Sequence, residues 1–174
     1  MLGKSAVISI LLLAIVIIST PTKTQSEIDS RVKYLEAFKK GEAHIRNREI
    51  EEARVDFVRA AEFMPDTWEP YFMLGQTWQA EGRIDEANRY FRKVLVYNPE
   101  NSSTLALLGK NFITMGENRD AEKMLHSAIR FWRQNVPAYD SLAKVLATEG
   151  RYQEATQWLS YAVQIDPNFG PGHI

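Results

Sequence analysis

The chain has 174 residues, 21 lysines and arginines against 22 aspartates and glutamates, and a net charge of −1. No basic block runs through it, which argues against a nucleic-acid ligand held by phosphate contacts. It has no cysteine, so it forms neither a disulfide nor a thiolate metal site, and a bacterial lipoprotein anchor is excluded.

At the N-terminus Lys4 precedes thirteen mostly apolar residues, Ala6 to Ile18, followed by Ser19-Thr20-Pro21-Thr22. A positive start and a short apolar run mark a secretory signal, and a free-standing transmembrane helix usually needs about 20 apolar residues. No Ala-x-Ala cleavage site is present; Thr20-x-Thr22 and Thr22-x-Thr24 are the nearest substitutes. Residues 1–20 are therefore read as an N-terminal hydrophobic helix, either a cleaved signal peptide or an uncleaved anchor that borrows Ser5 and Pro21. With Lys4 on the cytoplasmic side, the rest of the chain lies on the far side of a membrane. Residues 21–33 read as a linker and the start of the first helix. The stretch 19–26 is polar, and Ser26 with Asp29 is expected to cap a helix running from Glu27 to Asn47.

About 150 residues follow, enough to bury a continuous core if stacked. Ala53, Ala87, Ala121 and Ala155 recur every 34 residues, which marks one structural unit copied four times. With repeats at 34–67, 68–101, 102–135 and 136–169, the eighth position reads Gly41, Gly75, Gly109, Ala143. The fifteenth reads Arg48, Gly82, Gly116, Gly150, and the twenty-fourth Phe57, Phe91, Leu125, Leu159. Pro65, Pro99 and Pro167 share the thirty-second position with Arg133. Residues 170–174 form a tail.

Each unit reads as two helices. In the second repeat Tyr71, Leu74, Gly75 and Trp78 put one apolar stripe on a first helix. Gly82 supplies the turn, Ile84, Ala87, Phe91, Val94 and Leu95 form the second stripe, and Pro99 stops it. Acidic residues such as Asp85 and Glu86 sit in the first turn of the second helix, where they oppose the helix dipole. Small residues at the eighth and twentieth positions let two backbones approach closely.

This pattern resembles the tetratricopeptide repeat (TPR), over residues 34–169, with Trp68 to Asn101 as the best match. Lys40 and Arg48 in the first repeat and Arg133 in the third depart from it. The resemblance implies an all-α fold, an α-solenoid of antiparallel helix pairs wound into a right-handed superhelix, with first helices lining a concave groove. In that family positions 2, 5, 9, 12 and 13 face the groove. Transferred to this chain they imply a partner-binding set that includes Leu35, Phe38, Glu42, Ile45, Phe72, Gln76, Gln79, Lys110, Ile113 and Lys144. Phe38 and Phe72 are expected side by side, as apolar anchors for a peptide with polar ends; the alternative is that the long first helix or its linker folds onto them. Members that grip the acidic tails of heat-shock chaperones carry a lysine and asparagine clamp. Here Phe38 with Glu42, or Phe72 with Gln76, and then Pro137 and Ser141, stand in its place, so that specificity is not expected.

Arrays of this kind usually finish with an extra helix, and Gly170 to Ile174 is too short and turn-rich for one. Trp158, Tyr161, Ala162 and Ile165 are therefore expected on an open face of the last helix, an interface for a partner or a second copy.

Catalytic constellations are missing. His44, His126 and His173 are not at ligand spacing from one another, and His44 is expected to pack in the aromatic position that Trp78 and Phe112 take later. No catalytic residue, metal site or cofactor is expected, and no enzymatic activity. A eukaryotic secretory-pathway protein stays open as an alternative setting, and Asn101-Ser102-Ser103 is a glycosylation triplet, though at near-chance frequency. The expectation is an exported or membrane-tethered adaptor that binds a protein or peptide, set in bacterial envelope assembly such as secretion, pilus or cytochrome maturation machinery. The alternative is a self-associating scaffold. On either account the chain works in the periplasm or on the non-cytoplasmic face of the inner membrane, with a membrane contact only through an uncleaved N-terminus.

Overall fold

The computed structural model describes residues 23–170. The N-terminal apolar segment, its cleavage or anchoring, and His173 lie outside the described residues. Every regular element among those described is an α-helix, and there are eight: α1 (Lys23–Asn47), α2 (Ile50–Phe63), α3 (Glu69–Ala80), α4 (Ile84–Tyr97), α5 (Ser102–Met115), α6 (Asn118–Phe131), α7 (Val136–Thr148) and α8 (Tyr152–Ile165). Among the described residues no helix is long and apolar enough to cross a membrane.

The helices fall into two compact units that divide after Pro65. In the first, α1 packs along α2. α1 begins at Lys23, four residues before the expected start, so residues 23–26 are helix rather than linker. Ser26 therefore lies within the first turn and does not cap it; Gln25 instead donates from Nε2 to Asp29 Oδ1 at 3.0 Å.

The second unit holds three hairpins, α3–α4, α5–α6 and α7–α8, with α4 packed on α5, α6 on α7, and α5 on α7. Its core contains Phe91, Leu125, Leu142 and Leu146, which are fully buried, and Phe112 and Tyr139, which are nearly so. The repeating alanines are at the contacts between paired helices, and all four are buried. Close approach explains Gly75: a Cβ there would lie 2.5 Å from the Phe91 ring. Turns explain another set. Gly82, Gly116 and Gly150 have φ of 74°, 77° and 78°, and Arg48 takes the same left-handed conformation at φ 65° in the first hairpin. Starts are capped where the sequence supplies an amide. Asn101 accepts from Thr104 N, and Asn135, 34 residues on, accepts from Ala138 N.

Candidate functional site

The first helices of the second unit build a recess. Phe72 from α3, Ser103, Ala106, Leu107 and Lys110 from α5, and Pro137 and Ser141 from α7 line it with Gln76 and Asn135, around a cavity of about 330 Å³. Its walls are an aromatic ring, a proline and small aliphatic groups; its rim is amide, hydroxyl and one ammonium. Phe72 is kept half-buried by edge contact with Trp68 at 6.0 Å and by a tilted contact with Phe91 at 6.1 Å, so its ring is positioned before any ligand arrives. Lys110 is exposed at the rim. Lys144 is engaged differently, by Asp140 Oδ2 at 2.7 Å, one helical turn away.

Of the residues the family resemblance assigns to the groove, Phe72, Gln76 and Lys110 therefore share one recess. Ile113 is half-buried against the core. Gln79 donates from Nε2 to Asn111 Oδ1 at 2.5 Å. Asn111 Nδ2 donates in turn to Asn88 Oδ1 at 2.7 Å, and Asn88 Nδ2 approaches Met115 Sδ at 3.5 Å. Asn88 and Asn111 are 2% and 1% exposed. A chain of amides thus runs from the groove into the core and holds Gln79 in one orientation. Sequence reasoning missed it, because a polar residue at a core position signals its partner only when both are seen together.

Leu35, Phe38, Glu42 and Ile45 belong to the first unit. Phe38 stacks on Tyr34 at 5.8 Å and tilts against Phe57 at 5.4 Å, while Leu35 is exposed and Glu42 and Ile45 are half-exposed. Phe38 and Phe72 lie in separate units, each with its own aromatic partners.

The last helix differs from expectation. Ala162 is fully buried, not open, because it holds the core position that Ala60, Val94 and Ala128 hold at 34-residue intervals. Trp158 is half-buried against the core. Its ring lies 5.5 Å from His126, 5.8 Å from Tyr139 and 5.7 Å from Tyr161. Tyr161 and Ile165 are exposed at 40% and 36%. Together with His126, Arg130 and Arg133 they border a cleft of about 800 Å³ between α6 and α8. Burial pushes the Tyr139 phenol above its usual pKa, and its hydroxyl donates to the Arg133 carbonyl at 3.1 Å.

His44, at the register position of Trp78 and Phe112, is half-buried, and its partners are polar. It sits between two carboxylates, Nδ1 at 2.5 Å from Glu49 Oε2 and Nε2 at 3.4 Å from Asp56 Oδ2. The hydrogen bond from His44 holds the exposed Glu49 below the usual carboxylate range. Among the described residues no group of three histidines, aspartates or glutamates could hold a metal ion.

Sequence models of the tetratricopeptide repeat match residues 79–146 and 136–169. Together they cover residues 79–169, and this part of the chain is built of tetratricopeptide repeats. Solved structures agree in fold. MamA has 17% identity and a TM-score of 0.71, over 84% of this chain and 91% of that one. PilF of Pseudomonas aeruginosa has 17% identity and a TM-score of 0.72 over 81% of this chain, which spans 64% of PilF. YrrB, described as a TPR protein with an unusual peptide-binding site, has 21% identity and a TM-score of 0.65, over 75% of this chain and 68% of that one. A comparison with curated proteins finds no match. TPR domains bind protein or peptide partners and are in general scaffolds rather than catalysts.

Proposed function

We propose that the chain is an exported or membrane-tethered adaptor that holds a segment of a partner protein in the α3–α5–α7 groove, in the assembly of a bacterial envelope complex. One observation carries the binding half: Phe72, Ala106, Leu107 and Pro137 wall a single recess whose rim is Gln76, Ser103, Lys110 and Ser141. Apolar walls accept a side chain, while the rim offers hydrogen bonds to a main chain laid across it. The peptide-binding site of the structurally similar YrrB supports the same use of the fold. The apolar run Ala6 to Ile18 behind Lys4 supports export or anchoring.

Co-purification from membranes, with wild type against a Phe72→Ala, Lys110→Glu variant, tests the groove. Selective loss of a partner is expected, and recovery of the same partners from both would sink the groove reading. The mass of the mature protein decides between a cleaved signal and an anchor.

Self-association is a second reading, favoured by Tyr152 and Val163, which stand 66% and 42% exposed on α8. Light scattering of a Val163→Glu variant tests it; a wild-type protein that is already monomeric removes it.

A further inference from the structure

The cleft between α6 and α8 lies apart from the groove and has a distinct chemistry. Its floor and walls are Ile129, Tyr139, Trp158, Tyr161 and Ile165, and its mouth carries Arg130 and Arg133. No carboxylate is among its lining residues. Glu122 reaches His126 at 3.5 Å but is itself bridged by Arg151 at 3.1 Å, so a cation offsets it.

Two departures from the repeat pattern make this cleft. Sixty-eight residues earlier the equivalent tyrosine, Tyr71, is covered by its own hairpin. There Tyr97 stacks on Tyr71 at 5.7 Å, and Lys93 Nζ lies 4.1 Å from the Tyr71 ring centroid. In the last hairpin Tyr139 takes the place of Tyr71, but Ile165 replaces Tyr97 and Tyr161 replaces Lys93. The stacked ring and the cation are replaced by tilted contacts with Tyr161 at 6.4 Å and Trp158 at 5.8 Å, and the smaller Ile165 leaves a cleft beside them. The second departure is Arg133, which stands where Pro65, Pro99 and Pro167 end the other units. Its carbonyl is tied to the Tyr139 hydroxyl, which fixes its main chain beside the cleft while its side chain stays exposed.

We propose that this cleft is a second binding site, which takes a short acidic peptide segment carrying an aromatic or aliphatic side chain. The apolar side chain lies in the cleft against Trp158, Tyr161, Ile129 and Ile165, where the mutually packed rings of Tyr139, Trp158 and Tyr161 form a rigid wall that buries area at small entropic cost. Carboxylates on either side of it meet Arg130 and Arg133, whose planar guanidinium groups suit bidentate pairing. A basic segment is disfavoured by the same two charges, and by the absence of a facing carboxylate. The site stands whether or not the groove binds anything.

A display library of random dodecapeptides, panned on the full chain in mild detergent, tests the proposal. A soluble excess of an Arg130→Glu, Arg133→Glu variant, checked for native helix content, removes every clone that does not need the arginine pair. Surviving clones are expected to be rich in aspartate or glutamate around an aromatic or leucine. Synthesised and labelled, such a peptide should bind in anisotropy measurements, lose about tenfold or more in affinity with the arginine variant, and weaken with salt. A Lys110→Glu variant should bind it unchanged. Survival of no clones, or of clones without acidic residues, overturns the proposal. So does a peptide whose binding is lost with Lys110→Glu instead, which would belong to the groove.

Discussion

Asn111 and Asn88, one on α5 and one on α4, are joined by a hydrogen bond of 2.7 Å inside the second unit. Leucine at either position leaves the other amide buried without that partner, at a cost of about 1–3 kcal/mol. Replacing both by leucine removes the buried orphan and leaves only the half-exposed Gln79 to turn to water, so the double variant should be less destabilised than the two single costs added together. Denaturant unfolding of the four proteins checks this. Strict additivity would mean that the two amides are not coupled.

Gly75→Ala should destabilise the second unit. The new Cβ meets a fully buried Phe91 ring at 2.5 Å, and overpacking of this kind costs about 1–3 kcal/mol. The chain already carries alanine at the equivalent place in the last hairpin, Ala143, where the facing Leu159 is only half-buried and can yield. A thermal midpoint for Gly75→Ala equal to wild type would contradict the close approach.

Arg48→Gly should stabilise the first hairpin. A left-handed φ of 65° costs a residue with a Cβ about 1–2 kcal/mol, and glycine's extra freedom in the unfolded chain returns about 0.5–1 kcal/mol of that. A net gain of roughly 0.5–1 kcal/mol remains. Hydrogen exchange of amides in α1 and α2 reads it locally; faster exchange in the variant would contradict it.

Glu49 gives the first hairpin a pH dependence of defined sign. His44 holds the folded carboxyl below its ordinary value of 4.5. The stability from this pair is therefore complete above the unfolded value and is lost as pH falls through the lower, folded one. Wild type should melt above Glu49→Gln near neutral pH, and the two curves should converge in acid. A gap between them that widens on acidification would reverse the assignment.

The helical hairpins could be read from residues that every unit needs. Ala53, Ala87, Ala121 and Ala155 sit where helices touch, and Gly82, Gly116 and Gly150 sit where the chain must turn left-handed. Such positions repeat because the same backbone geometry repeats. Phe72, Gln76 and Lys110 could be placed on one surface for the same reason. Ala162 was misread because the bareness of a helix was extended to a residue on its inner side. His44, Asn88 and Asn111 were opaque for a different reason: their meaning lies in pairs 5, 12 and 23 residues apart that occur once. Arg133 stood out only as a missing proline, and its place beside Tyr139 needed the fold.

The amide pair also bears on how the hairpins find the right neighbours. Copied units offer nearly interchangeable apolar surfaces, and arrays of this kind are prone to misassembly between modules. Asn88 is replaced by Arg54, Glu122 and Thr156 at 34-residue intervals, and Asn111 by Ala43, Thr77 and Val145. Were α4 to dock on α7, Asn88 would face Val145 and lose its acceptor's partner. One junction in the stack thus carries an identity mark, which penalises a skipped or exchanged hairpin while leaving the shared hydrophobic surfaces as they are.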